Sequence, residues 1–115
     1  MCSTRWKREQ MKQCPVFSQM RQRTPKVHCL TNPVTMQDVA NVLLAAGGSA
    51  VMAQDAAEVE EITALCDATL LNTGVPSLEK FRACTLAGVR ANGLGHPVVL
   101  DPVGAGASAF RRSQL

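Results

Sequence analysis

KVHCLTNPVTMQDVANVLLAAGGSAVMA, residues 26–53, is the stretch that decides the fold. Lys26 to Leu30 reads as a short strand. Thr35 to Ala46 reads as a helix, with Met36, Val39, Ala40, Leu43 and Leu44 at helical spacing on one face. Gly47-Gly48 ends that helix, because glycine enters the left-handed C-terminal conformation without a Cβ clash. Ser49 to Ala53 reads as the next strand. A helical connection of this length joins parallel strands by a right-handed crossover.

The same unit repeats downstream. Asp55 opens a second helix, with Asp55 and Glu58 at capping-box spacing and Val59, Ile62 and Cys66 on its buried face. Ala68 to Leu71 is a third strand, and Asn72-Thr73-Gly74 turns away from its end. Ser77 caps a longer helix to about Asn92, with Leu78, Phe81 and Cys84 pointing inward and Gly93 and Gly95 closing it. Pro97 to Leu100 is a fourth strand, followed at once by Asp101-Pro-Val-Gly-Ala-Gly106. Near-continuous apolar runs such as Val98-Val99-Leu100 suit strands covered on both faces. The fold class is α/β, a parallel sheet with covering helices. Strand Val98–Leu100 is expected to leave an unpaired edge.

Upstream, Val16 to Arg23 reads as a helix that stops before Thr24-Pro25, since the residue before a proline avoids helical geometry. Residues 1–26 carry a net charge of +6 and the remainder −3. Residues 1–15 are therefore expected to be a basic, flexible N-terminal arm, and residues 16–115 the α/β domain. No basic stripe continues beyond the arm, which argues against nucleic-acid binding. No run approaches the roughly 18 apolar residues of a membrane span. No apolar core follows the basic start, so a secretory signal is not expected. The five cysteines have no C-x-x-C spacing, which argues against a disulfide framework and a zinc site and suits a cytoplasmic setting. Cys66 and Cys84 are expected to be small buried residues.

Ligands in such sheets lie outside the carboxyl ends of the strands. The residues expected there are His28 to Asn32, Met52 to Asp55, Asn72 to Gly74 and Asp101 to Gly106. Gly104 to Ala109 matches a loose G-x-G-x-x-G/A pattern, which reads either as a tight turn or as a loop whose amides approach a phosphate. Asp101 reads either as a turn cap or as a carboxylate able to hold Mg²⁺ or oppose a lysine. His28 and Cys29 are neighbours on a strand and so point to opposite faces, not to a catalytic pair. By itself Met52 is an ordinary core methionine.

Several separate runs, in order, resemble hydroxyethylthiazole kinases. They are Val27 to Asn32, Val39-Ala-Asn41, Leu43 to Ser49, Val51-Met52-Ala53, Leu71-Asn-Thr-Gly74, and Val99 to Ser108 with Phe110 and Arg111. The resemblance covers about residues 16–115, as the N-terminal half of such an enzyme. It implies a ribokinase-like fold and Mg²⁺-assisted transfer of the ATP γ-phosphoryl to the hydroxyethyl group of 4-methyl-5-(2-hydroxyethyl)thiazole. It also implies a homotrimer with sites at subunit boundaries.

By position, the resemblance places Met52 and Asn32 at the thiazole. It places Arg111, Gly104 and Gly106 at ATP, and Asp101 at the phosphates and metal. A methionine packs readily on a flat heteroaromatic ring, and an arginine fork suits phosphate oxygens. Three departures stand out: Ala50 where proline is usual, Pro33 in the first turn, and Val75 in place of a threonine. The family's glycine-rich anion hole and cysteine base belong to its other half, so none of the five cysteines here takes the catalytic role. The 115-residue chain by itself is expected to be inactive. The alternatives are a non-catalytic thiazole- or subunit-binding fragment, and a small dinucleotide-binding domain built on Gly104 to Ala109.

Overall fold

The computed structural model describes residues 15–115. The expected arm, with Cys2 and Cys14, lies outside the described residues apart from Pro15. Helix α1 spans Pro15–Arg23, strand β1 Lys26–Leu30, α2 Met36–Ala46, β2 Ser49–Val51 and α3 Val59–Leu65. Then come β3 Ala68–Asn72, α4 Leu78–Leu94, β4 Val98–Asp101 and α5 Ala109–Ser113.

The four strands form one parallel sheet in the order β2-β1-β3-β4. The chain leaves β1 toward β2 on one side, then returns past β1 to β3 and continues to β4. Right-handed crossovers therefore put α2 on one face and α3 and α4 on the other. Helices α3 and α4 accordingly pack side by side. The core between them and the sheet is built on Leu30, Val59, Ala83 and Ala87, with Leu71, Cys84 and Leu86 against it. Alanines at 83, 87 and 91, all fully buried, let α4 lie close to the strands.

Most expected elements form, with local corrections. Strand β2 stops at Val51, so Met52 and Ala53 already belong to the turn. The Asp55–Glu58 capping box does not form. The Asp55 carboxylate accepts from the Ala57 amide at 2.8 Å, making a tight Asx turn, and α3 begins one turn late. Leu44 and Leu78, expected inward, are 59% and 73% exposed. Apolar periodicity overstated both helix faces: in α4 alanines rather than leucines are the buried residues, and α2 buries none fully. Ser77 does cap α4, its oxygen accepting from the Lys80 amide at 3.1 Å. The outer side of β4 has no strand partner among the described residues, and Val99 and Leu100 on it are 61% and 50% exposed.

Candidate functional site

All four strands run parallel, so their carboxyl ends share one edge. Strand β1 leads into α2 on one face, while its neighbour β3 leads into α4 on the other. The crevice between the ends of β1 and β3 is therefore the topological switch point of the sheet, where ligands of α/β proteins bind. Asn32 follows β1 there and Asn72 ends β3, and both are about 95% buried.

A line of hydrogen bonds crosses this point. Asn32 Nδ2 donates to Asn72 Oδ1 at 3.1 Å, and Asn72 Nδ2 donates to Asp101 Oδ2 at 3.1 Å. The backbone closes it at both turns. Asn32 Oδ1 accepts from the amides of Val34 and Thr35 at 3.0 and 3.2 Å, and Asn72 Oδ1 accepts from the Gly74 amide at 2.8 Å. Asp101 is itself exposed, so the line runs from a buried carboxamide to a carboxylate in solvent. The buried hydroxyls of Thr31 and Thr35 and the buried Nε2 of Gln54 have no partner among the described residues. Orphaned polar atoms are unusual in a folded interior, and these three flank Asn32 and Met52 in the chain.

The turns after β3 and β4 are latched together. The Thr73 amide and hydroxyl donate to the Asp101 carbonyl at 3.1 and 3.4 Å, and the hydroxyl also reaches the Val103 carbonyl at 3.1 Å. Arg111, from the first turn of α5, folds back so that Nη1 donates to the carbonyls of Val103 and Thr73 at 2.9 and 3.4 Å. Gly104 lies beneath this guanidinium with φ +62°, and a Cβ there would stand 3.1 Å from Nη1. Glycine at 104 is thus required both by conformation and by Arg111. At Gly106 a Cβ would meet open space, so nothing in the described residues demands glycine there. Phe110 sets its ring edge-on against Phe81 of α4, with centroids 5.3 Å apart, and so anchors α5.

Lys80 is the least expected member of this region. It sits in the first turn of α4, 8% exposed, and its ammonium donates to the Gly74 carbonyl. Burial pushes its pKa down, offset in part by the nearby Cys84 thiol and reinforced by Arg111. Two cations, Lys80 and Arg111, therefore hold carbonyls of the Asn72–Gly74 and Val103 turns.

Met52 stands apart from this set, half-buried just beyond β2. Its turn is held by His28. The imidazole is fully buried, with Nε2 donating to the Ala53 carbonyl at 2.8 Å and Nδ1 accepting from the Thr63 hydroxyl at 2.9 Å. Only a donor can face a carbonyl, so Nε2 carries a proton, and burial, which disfavours the charged ring, leaves Nδ1 to accept. Burial pushes its pKa below the ordinary 6.5, against smaller opposing effects of the Ala53 hydrogen bond and Glu58. Cys29 is buried, and its thiol is pushed up to about 11 by desolvation and by the neighbouring Cys66, so it is no nucleophile.

Asn32, Asp101, Gly104 and Arg111 are thus brought into adjoining turns, with Met52 at the far end of the same edge. His28 and Asn72 fall in turns expected at this edge but were given no role there, and Lys80 was not named at all. An asparagine ending a strand two residues before a glycine was the available signal for Asn72. Nothing in the sequence marks Lys80 as buried.

The fold and its edge define the class: a parallel α/β protein whose polar residues gather at the sheet's switch point. The sequence model of the hydroxyethylthiazole kinase family matches residues 17–115, and the chain belongs to that family. It is 54% identical over 100 residues to the hydroxyethylthiazole kinase of Desulfovibrio desulfuricans, covering 87% of this chain and 35% of that protein. It is 50% identical over 102 residues to that of Alkaliphilus oremlandii, covering 89% and 38%. The solved structure of the hydroxyethylthiazole kinase protein from Pyrococcus horikoshii OT3 superposes with a TM-score of 0.84 at 45% identity, over 87% of this chain and 39% of that one. The chain thus spans a little over a third of the length of these relatives. No helix among the described residues is long and apolar enough to cross a membrane.

Proposed function

We propose that this region serves a kinase that transfers the γ-phosphoryl group of ATP to the hydroxyethyl group of 4-methyl-5-(2-hydroxyethyl)thiazole. The observation that carries the reading is the family match over residues 17–115, on an edge where Asn32 and Asp101 are joined by hydrogen bonds. Asn32 and Met52 face the thiazole in this reading, supported by the orphaned polar atoms of Thr31, Thr35 and Gln54 beside them. Arg111 and the Gly104 to Gly106 turn face the ATP phosphates. Arg111 keeps further N–H donors beyond the Nη1 that holds the turn.

Mg²⁺ fits one part of this edge. No group of three acidic, histidine or cysteine side chains gathers among the described residues, so a wholly protein-made cage is not on offer. Magnesium needs none: it takes one or two carboxylates, with phosphates and water completing its shell. Asp101, with Oδ2 occupied by Asn72, presents Oδ1 for that purpose. The metal's contribution would be neutralising charge on the transferring phosphoryl group.

A cytoplasmic setting belongs to the same proposal, supported by the free thiols of Cys29, Cys66 and Cys84. So does homotrimeric assembly, which rests on the family resemblance. The test is titration of hydroxyethylthiazole into the chain, wild type and Met52→Ala, followed by NMR. Shifts confined to the ends of β1 and β2 in the wild type, weakened by Met52→Ala, support the reading. Saturating shifts elsewhere refute it.

A further inference from the structure

Asn72 carries none of the roles assigned above, yet the side-chain hydrogen bonds described across the switch point both pass through it. We infer that Asn72 is a positioning residue that holds Asn32 and Asp101 in one line of fixed polarity, joining the thiazole side of the edge to its phosphate side. The inference rests on the functional reading above for what the two ends face. The line itself rests on geometry.

Its polarity admits one arrangement. The Gly74 amide can only donate, so the Asn72 atom 2.8 Å from it is the carbonyl oxygen. The Asn72 NH₂ group must then face Asp101, which accepts as a carboxylate. At the other end, the Val34 and Thr35 amides require the oxygen of Asn32, which turns the Asn32 NH₂ group toward Asn72. Flipping either carboxamide would set donor against donor on one side. Flipping Asn72 would also set its oxygen against the Asp101 carboxylate. Backbone amides at two separate turns thus turn an NH₂ donor toward one Asp101 oxygen and leave the other for a cation.

A second observation converges on the same atoms. Gly74 does not need glycine for its φ angle. A Cβ there, however, would stand 2.8 Å from Asn32 Nδ2 and 2.9 Å from Asn72 Oδ1. Any side chain at 74 would wedge into the Asn32–Asn72 hydrogen bond. Lys80, donating to the Gly74 carbonyl, holds this residue from the far side.

The test uses the 115-residue chain with Asn72→Asp and Asn72→Leu, read by NMR of the Asn32 side-chain amide and by titration with hydroxyethylthiazole and with Mn²⁺ alone. Asn72→Asp keeps an acceptor for Gly74 and Asn32 but cannot donate to Asp101. It should leave thiazole binding within about twofold and tighten Mn²⁺ about fivefold or more, as expected when one hydrogen bond is lost and a carboxylate gained. Asn72→Leu should speed exchange of the Asn32 side-chain amide and weaken thiazole, each by about fivefold. A merely structural role predicts equal weakening of both ligands by both variants, and that result overturns the inference. So does an unchanged Asn32 amide in Asn72→Leu. Should Asn72→Leu fail to fold, Gly74→Ala tests the same bond with both asparagines present, and an unchanged Asn32 amide there is equally fatal. If the wild-type chain binds neither probe, the functional reading falls, and the Asn32 amide still decides whether the line exists.

Discussion

Replacing His28 with leucine removes two buried hydrogen bonds at once while roughly conserving volume. The ring joins the Thr63 hydroxyl of α3, 2.9 Å away, to the Ala53 carbonyl in the turn after β2, 2.8 Å away. Thr63 is fully buried and Ala53 is buried too, so neither orphaned partner can readily turn to water in place. An unsatisfied buried polar group costs about 1–3 kcal/mol, so the substitution should cost about 2–4 kcal/mol in all. With a urea slope of about 2 kcal/mol/M, the midpoint should fall by about 1–2 M.

The pH profile adds an independent signature. The folded-state pKa of His28 lies below its ordinary 6.5, so the unfolded chain binds the proton more readily. The stability from the neutral ring is therefore whole above pH 6.5. It declines as pH falls below that value and levels off below the depressed folded pKa. His28→Leu should flatten this decline, and a double-mutant cycle with Thr63→Val should return a coupling of about 1 kcal/mol. Urea titrations at several pH values read all three. A loss under about 0.5 kcal/mol with an unchanged pH profile would refute the account of His28 as the tie that holds the Met52 turn.

Other expectations are simpler. Val75 has φ +47°, a left-handed conformation that a β-branched residue adopts only under strain, and it is 55% exposed. Val75→Asn should therefore raise stability by about 1 kcal/mol in thermal or urea unfolding. Burial raises both thiols, but Cys29 is fully buried and should label more slowly with a thiol reagent at pH 8 than half-buried Cys84, as read by peptide mass spectrometry. Val99→Lys on the open side of β4 should suppress concentration-dependent self-association in light scattering without lowering stability by more than about 0.5 kcal/mol.

Much of the fold was legible because the alternation of short apolar runs with capped helices has one simple solution, a parallel sheet. Gly47 and Ser77 marked helix ends that the structure keeps. The inward faces were harder. Leu78 follows the helical period yet faces solvent, because close packing at α4 falls to alanines whose small size carries little pattern signal, and Leu44 lies on α2, which buries no residue fully. The site was partly legible. Motif order located the turns at Asn32, Met52, Asp101 and Gly104, but only the strand order β2-β1-β3-β4 shows that β1 and β3 flank the switch point. Asn72 gains its place from pairing opposite Asp101 across two strands 29 residues apart, which spacing along the chain does not reveal. Lys80 carries no sequence signal of its own, and its burial comes with the turn whose Gly74 carbonyl it holds.

The most direct test of the central claim is a graft. Residues 17–115 would replace the matching region of the Desulfovibrio desulfuricans hydroxyethylthiazole kinase, to which this chain is 54% identical. The graft would then be assayed for ATP-dependent phosphorylation of hydroxyethylthiazole. The account predicts a folded, active graft whose turnover is lost with Asp101→Ala and whose KM for the thiazole rises with Met52→Ala. A folded graft without thiazole phosphorylation, or one indifferent to both substitutions, would contradict it.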